Sequence, residues 1–248
     1  MSGPVLVVRG LGDAGASARA LVELGVPAEA LPVYAFETIA PPRELLERVR
    51  ARRWDLGIAV SPRGVRALNA LKLAPAELAG QWLAVGPRSA RALAEGGVAS
   101  ERIAVPEVFS SEGLLGTPLL HGLGGHSALL VCGRGGRRLI QDRLDARGAD
   151  WLELKVYRRI PEAFNPERFA QAVERAGALM LTSIYGVARL TMQAEMSGCR
   201  RSLCRLPAFA LSERIAEAAR SEGFARCSVA ADSSIDSLHR LIAERLRG

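Results

Sequence analysis

Short apolar runs recur along the chain, and between them the apolar positions change spacing. VLVV (5–8), LGIAV (56–60), WLAV (82–85), RIAV (102–105), ALLV (128–131), WLELKVY (151–157), ALML (178–181), PAFAL (207–211) and CSVA (227–230) are brief and mostly apolar. Strands buried on both faces read this way. The intervening stretches include ASARALVELG, PRELLERVRARR, RRLIQDRLDARG, PERFAQAVERAG, ERIAEAARSEG and SIDSLHRLIAERL. They place apolar residues three and four apart, the stripe of a surface helix. Strands alternating with helices predict an α/β fold of parallel sheets covered by helices on both faces.

The order of these segments repeats. SPRGVRAL (61–68) aligns with SIYGVARL (183–190), setting Ser61 opposite Ser183 and Gly64 opposite Gly186. AVGPRSARALAEGG (84–97) aligns with ALSERIAEAARSEG (210–223), setting Gly86 opposite Ser212 and Arg88 opposite Arg214. VLVV aligns with ALLV, and PVY (32–34) with KVY (155–157), which pairs Tyr34 with Tyr157. All four alignments share an offset close to half the chain. The chain therefore reads as a duplication giving two similar units, with a ligand expected between them.

Composition narrows the function. The 248 residues are 49% hydrophobic and 5% aromatic, and no apolar run approaches a membrane span. MSGPVLVVRGLGD lacks a charged segment leading into a long apolar one, so no signal peptide is expected. Cys132, Cys199, Cys204 and Cys227 form no C-x-x-C pair, and the histidines are His121, His126 and His239 alone. A zinc site or disulfide framework is not expected, and a reducing cytoplasm fits. The net charge of +7 favours an acidic partner. Arginines are dispersed, with no basic tail and no aromatic ladder; Trp54, Trp82 and Trp151 each open a strand and read as core. Nucleic acid is therefore not the expected partner, and a small polyanion is.

Several motifs offer places to hold it. VCGRGGRRL (131–139) fails as a phosphate loop, because Arg138 stands where G-x-G-x-x-G needs its third glycine. Its Gly133 lets a strand hand over to a helix, and Arg134, Arg137 and Arg138 form a carboxylate or phosphate clamp. Gly86-Pro87 turns a strand into a helix opening on Arg88 and Ser89, where backbone N–H groups and the helix dipole favour an anion. TSIYG (182–186) is not a nucleophile elbow, for it lacks a glycine two residues before Ser183. Ser61, Ser183 and Ser212 follow strands and precede helices, so each is expected to cap a helix. Those loops lie at the carboxyl ends of parallel strands, where such sheets bind ligands.

VLVVR, VSPRGVRAL, AVGPRSARAL, SSEGLL, LLVCGRGGRRLIQDRLDARGA, KVYRR, LTSIYGV and SERIAEAARSEGF, in this order, resemble the uroporphyrinogen-III synthase family over essentially the whole chain. The resemblance implies two α/β domains joined by a two-stranded linker: residues 1–35 with 160–248 in the first, 38–156 in the second. The crossing strands would be AFETIAP and VYRRIP. It implies a cleft between the domains that holds hydroxymethylbilane, a linear tetrapyrrole with eight carboxylates. The terminal hydroxyl leaves ring A, ring D attacks through its substituted carbon, and a spiro intermediate recloses with ring D inverted. No cofactor and no metal are implied. The tyrosine of the family's VY motif corresponds to Tyr157, which would help the hydroxyl leave; a phenol, with an ordinary pKa of ~10, stays protonated at neutral pH. Carboxylates would be held by Arg9, Ser61, Pro62, Arg63, Gly86, Ser89, Gly133, Arg134, Arg137, Arg138, Ser183, Tyr185, Gly186, Ser212 and Arg214. VVRG at the start replaces the family's frequent TRP, and SER at 212–214 replaces a Gly-Pro-Thr-like turn, which sets Glu213 beside a polyanion. A monomer is expected, with transient contact to the enzyme that supplies the bilane. The alternative is a two-domain binding protein for a small polyanion that performs no catalysis.

Overall fold

The computed structural model describes residues 3–247. The chain opens on β1 (Val5–Gly10), α1 (Asp13–Glu23) and β2 (Ala28–Thr38). It continues through α2 (Arg43–Arg50), β3 (Trp54–Ala59), α3 (Pro62–Ala70), α4 (Pro75–Leu78), β4 (Ala79–Ala84) and α5 (Pro87–Glu95). A single 3-10 turn leads into β5 (Ile103–Ala104), α6 (Ser111–Leu115) and α7 (Pro118–His121). The second half runs β6 (Ser127–Gly133), α8 (Leu139–Ala146), β7 (Asp150–Pro161), α9 (Pro166–Arg175), β8 (Ala178–Leu181) and α10 (Ile184–Met196). It closes with α11 (Arg200–Arg205), β9 (Ala208–Ala210), α12 (Glu213–Ser221), β10 (Cys227–Val229) and α13 (Ile235–Arg247). Every apolar run read as a strand is one, although Trp82 lies within β4 rather than at its start.

The chain divides into two compact units. One takes the residues up to Phe36 and those from Ile160 onward; the other takes Glu37–Arg159. In the first unit β10, β9, β8, β1 and β2 lie side by side, every one of these pairings parallel. In the second the order is β7, β6, β3, β4, β5, again parallel throughout. Counting the strands of each unit from β1 or from β6, both follow the doubly wound order 2-1-3-4-5. Each unit joins the opening strands of one copy of the repeat to the closing strands of the other.

Both faces of each sheet are buried, which explains the unbroken apolar runs. Leu6 and Val8 face one core while Val5 and Val7 face the other. In the second unit Leu129 and Val131 join one core, Ala128 and Leu130 the other. Trp82 fills the first of these with 0% exposure, and its Nε1 donates to the Pro75 carbonyl at 3.0 Å. The neighbouring strand makes room with a glycine: a Cβ on Gly57 would stand 2.6 Å from the indole ring.

Beside the Val5 and Val7 core, His239 of α13 is 7% exposed, and its Nε2 has no hydrogen-bond partner among the described residues. Burial, and next the nearby charge of Arg9, lower its pKa, with Asp236 opposing. The folded state therefore resists a proton that the unfolded chain accepts below the ordinary imidazole value of ~6.5. Stability falls as pH drops through that range, by at most about 1.4 kcal/mol per pH unit from this residue. Melting curves at pH 7.5 and 5.5 should show a larger drop for the wild type than for His239→Gln; equal drops would contradict this.

Candidate active site

The first strand of each repeat ends in a glycine beneath a tyrosine ring. Gly10 pairs with Tyr34 after a register shift, and Gly133 pairs with Tyr157 after another. A Cβ on Gly10 would lie 2.9 Å from the Tyr34 ring, and one on Gly133 would collide outright with that of Tyr157. The two tyrosines then take different surroundings. Tyr34 is 5% exposed and packs edge-on against Phe36 and Tyr185, with ring centroids 5.4 and 5.3 Å away. Tyr157 is half-buried, resting against the second unit's core while its hydroxyl lies at the level where β6 ends.

Each hydroxyl meets the capping serine of the other repeat. In the first unit the Tyr34 hydroxyl lies 3.3 Å from Ser183 Oγ, and that oxygen accepts from Gly186 N–H at 3.0 Å. In the second unit Ser61 Oγ donates to the Tyr157 hydroxyl at 3.0 Å and accepts from Gly64 N–H at 3.1 Å. Ser61 caps α3, and Pro62 at the first helical position has no N–H to satisfy. Gly186 is required near its serine, since a Cβ there would stand 2.9 Å from Ser183 Oγ. A phenol that accepts a hydrogen bond becomes a stronger donor, because chained hydrogen bonds polarise one another. The run from Gly64 N–H through Ser61 to Tyr157 begins at the amino-terminal end of α3. This loop follows β3 beside β6, the point at which the sheet's winding reverses and where ligands bind such sheets.

The paired turns after β4 and β9 are open helix starts. Gly86 precedes α5 in extended backbone, and no side chain caps that helix. Ser212 precedes α12 and, unlike Ser61 and Ser183, makes no capping bond with its side chain. The expected cap at Ser212 is thus absent, and its hydroxyl has no partner among the described residues. Glu213, which the sequence sets beside the anion, is held by Arg220 at 2.6 Å. Arg214 is exposed, as is Arg134, whose backbone N–H bonds the Tyr157 carbonyl at 2.8 Å. Arg63 is half-buried beside Pro62.

Other expected ligands lie elsewhere. Ser89 is 1% exposed and its N–H is bonded to the Gly86 carbonyl at 3.0 Å, so it presents nothing to a ligand. Arg9 turns away from the Tyr34 side of β1 and donates to buried Ser17 Oγ at 2.6 Å. Arg137 is paired with Glu112 at 2.6 Å, and that guanidinium lowers the Glu112 pKa to about 2. Arg138 faces Asp142 at 3.4 Å and Asp145 at 3.7 Å. Of these three arginines, Arg134 alone forms no ion pair with a carboxylate among the described residues. Phe109, 59% exposed, rests against Gly86, where a Cβ would touch it at 3.3 Å. Its signal in the sequence is an aromatic immediately before SSEGLL.

Gly133→Ala tests the fit. The added methyl must push the Tyr157 ring off Ser61, so any chemistry resting on that pair should slow about ten-fold or more, while the melting temperature changes little because the ring can swing outward. Full activity in Gly133→Ala would show that the pair is dispensable.

Among the described residues, no helix is long and apolar enough to cross a membrane, and no group of three or more His, Cys, Asp or Glu could hold a metal ion. The family model described as Uroporphyrinogen-III synthase HemD matches residues 15–240. The uroporphyrinogen-III synthase of Salmonella typhimurium is 31% identical over 134 residues, 53% of this chain and 54% of that protein. That of Escherichia coli K12 is 30% identical over 166 residues, 65% of this chain and 66% of that protein. The matches thus span between half and two thirds of these relatives' lengths. A mutant uroporphyrinogen III synthase from the extremely thermophilic bacterium Thermus thermophilus superposes with a TM-score of 0.63 at 25% identity, covering 99% of both chains. The uroporphyrinogen-III synthetase of Helicobacter pylori 26695 shares the fold, with a TM-score of 0.66 at 14% identity over 98% of this chain and 99% of its own. With the family model matched from residue 15 to residue 240, the chain belongs to the uroporphyrinogen-III synthase family.

Proposed function

We propose that this protein cyclises hydroxymethylbilane, with loss of water and inversion of ring D, to uroporphyrinogen III. Within the family, the observation that carries this reading to particular atoms is the Ser61–Tyr157 hydrogen bond at the winding reversal of the second unit's sheet. Tyr157 donates its proton to the hydroxyl departing from ring A, so that water leaves. Ser61, donating to the phenol oxygen, stabilises the negative charge that develops there. The phenolate faces the cation it has helped to form, and it regains a proton when the last pyrrole ring becomes aromatic again. The net change is bilane to macrocycle plus one water.

Holding the bilane folded is the larger task, since closure without inversion needs no enzyme; this is an orientation effect. Arg63, Arg134 and Arg214 supply guanidinium forks for its carboxylates, and the open starts of α5 and α12 supply backbone donors. Phe109, with exposed Val108 beside it, offers apolar surface to a pyrrole ring. The domains expected from the sequence, 1–35 with 160–248 and 38–156, are proposed to act as the two halves of the enzyme, working as a monomer in the cytoplasm. The alternative, a binding protein without catalysis, makes a different prediction for the rate of bilane loss. Purified protein should consume enzymatically generated hydroxymethylbilane much faster than buffer does. Saturable binding of the bilane at the buffer rate of loss would favour the alternative.

A further inference from the structure

The first unit carries a basic concavity at the amino-terminal edge of its sheet. The end of α10, helix α11, the end of α12 and the turn before β10 border an open concavity of about 1030 Å³, lined by Arg200, Arg201, Arg205 and Arg226 with Cys204 among them. This lies a helix length from the Ser183 loop, and α10 spans about 20 Å at 1.5 Å per residue.

The charges here are not balanced. Both carboxylates of the lining serve Arg200: Glu222 lies 2.9 Å and Glu195 3.6 Å from its guanidinium. Arg226 donates one bond, to the Arg205 carbonyl at 2.6 Å, and has no carboxylate within ion-pair distance among the described residues. The side chains of Arg201 and Arg205 have no partner at all among the described residues. They are exposed and four apart on α11, so the two like charges share one face and repel. Helix-end capping accounts for Arg200, which also bonds the Glu222 carbonyl at 3.1 Å, but not for Arg201 and Arg205. Three guanidiniums around a concavity of this size match a molecule larger than a single phosphate, carrying several acidic groups.

We propose that this concavity is an accessory site for a small polyanion bearing two or more carboxylate or phosphate groups, held by Arg201, Arg205 and Arg226. The site is independent of the cyclisation chemistry. Cys204, half-buried in its lining, reports on occupancy. The probes are benzenehexacarboxylate and pyrophosphate, and the readout is alkylation of Cys204 by the uncharged reagent N-ethylmaleimide, followed by peptide mass spectrometry. At saturation, one or both probes should slow alkylation several-fold in the wild type, and the one that protects better identifies the acid group preferred. In R201Q/R205Q the concentration giving half protection should rise at least ten-fold, with an unchanged melting temperature. No protection by either probe at millimolar concentration, or equal protection in the double variant, would overturn the proposal. Uroporphyrinogen III formation by R201Q/R205Q should match the wild type under every outcome, so failure here leaves the cyclase reading intact.

Discussion

Tyr157→Phe should lower the rate of uroporphyrinogen III formation by about 10²-fold, the low end for loss of a general acid. The ring stays, so its packing against the second core stays. What is lost is the hydroxyl that Ser61 donates to at 3.0 Å. The Ser61 hydroxyl still accepts from Gly64 N–H and sits where water can reach it, so the stability cost stays within about 1 kcal/mol. Tyr34→Phe is the matched control. Its hydroxyl lies a longer 3.3 Å from Ser183, and its ring is buried at 5% exposure among Phe36 and Tyr185. That variant should turn over near the wild-type rate. Initial rates of isomer III formation, with thermal melts as the folding control, measure both. A wild-type rate in Tyr157→Phe, or equal losses in the two variants, would leave Tyr157 a packing residue.

Trp82→Ala should have the largest effect on stability, about 3–5 kcal/mol, against a total of ~5–15 kcal/mol for a typical domain. The indole is fully buried, its N–H is satisfied by Pro75, and Gly57 is shaped to admit it. Little near it can collapse into the space, because the floor is a strand backbone whose own side chain is already absent. Urea unfolding should reveal the loss, and native-state hydrogen exchange should show protection falling first in residues 37–159, the unit that holds the indole. A cost below 1 kcal/mol, or a loss spread evenly over the chain, would contradict this.

The buried strands are legible in the sequence because both of their faces are apolar, and no other element looks like VLVV or ALML. β2 is harder to read: Glu29 and Ala30 are exposed and only Val33 and Tyr34 are buried, so it shows neither a run nor an alternation. The six residues of α11 are too few to show a helical stripe. The serine caps at 61 and 183 follow from local sequence, because a cap binds an N–H three residues away. The Ser61–Tyr157 bond does not, because it joins residues 96 apart and depends on how the two copies of the repeat exchange their strands. Ser89 reads as a ligand for the same local reason that the caps do, yet burial, which is a tertiary property, removes it. Arg137 and Arg138 look like a clamp until the chain brings Glu112, Asp142 and Asp145 to them.

The most direct test of the central claim is the isomer composition of the product. Purified protein supplied with hydroxymethylbilane as it is generated should give uroporphyrinogen III as the dominant isomer, separated chromatographically after oxidation to porphyrin. Uroporphyrinogen I alone, at the level formed in buffer, would contradict the claim, because closure without inversion of ring D is what the bilane does unaided.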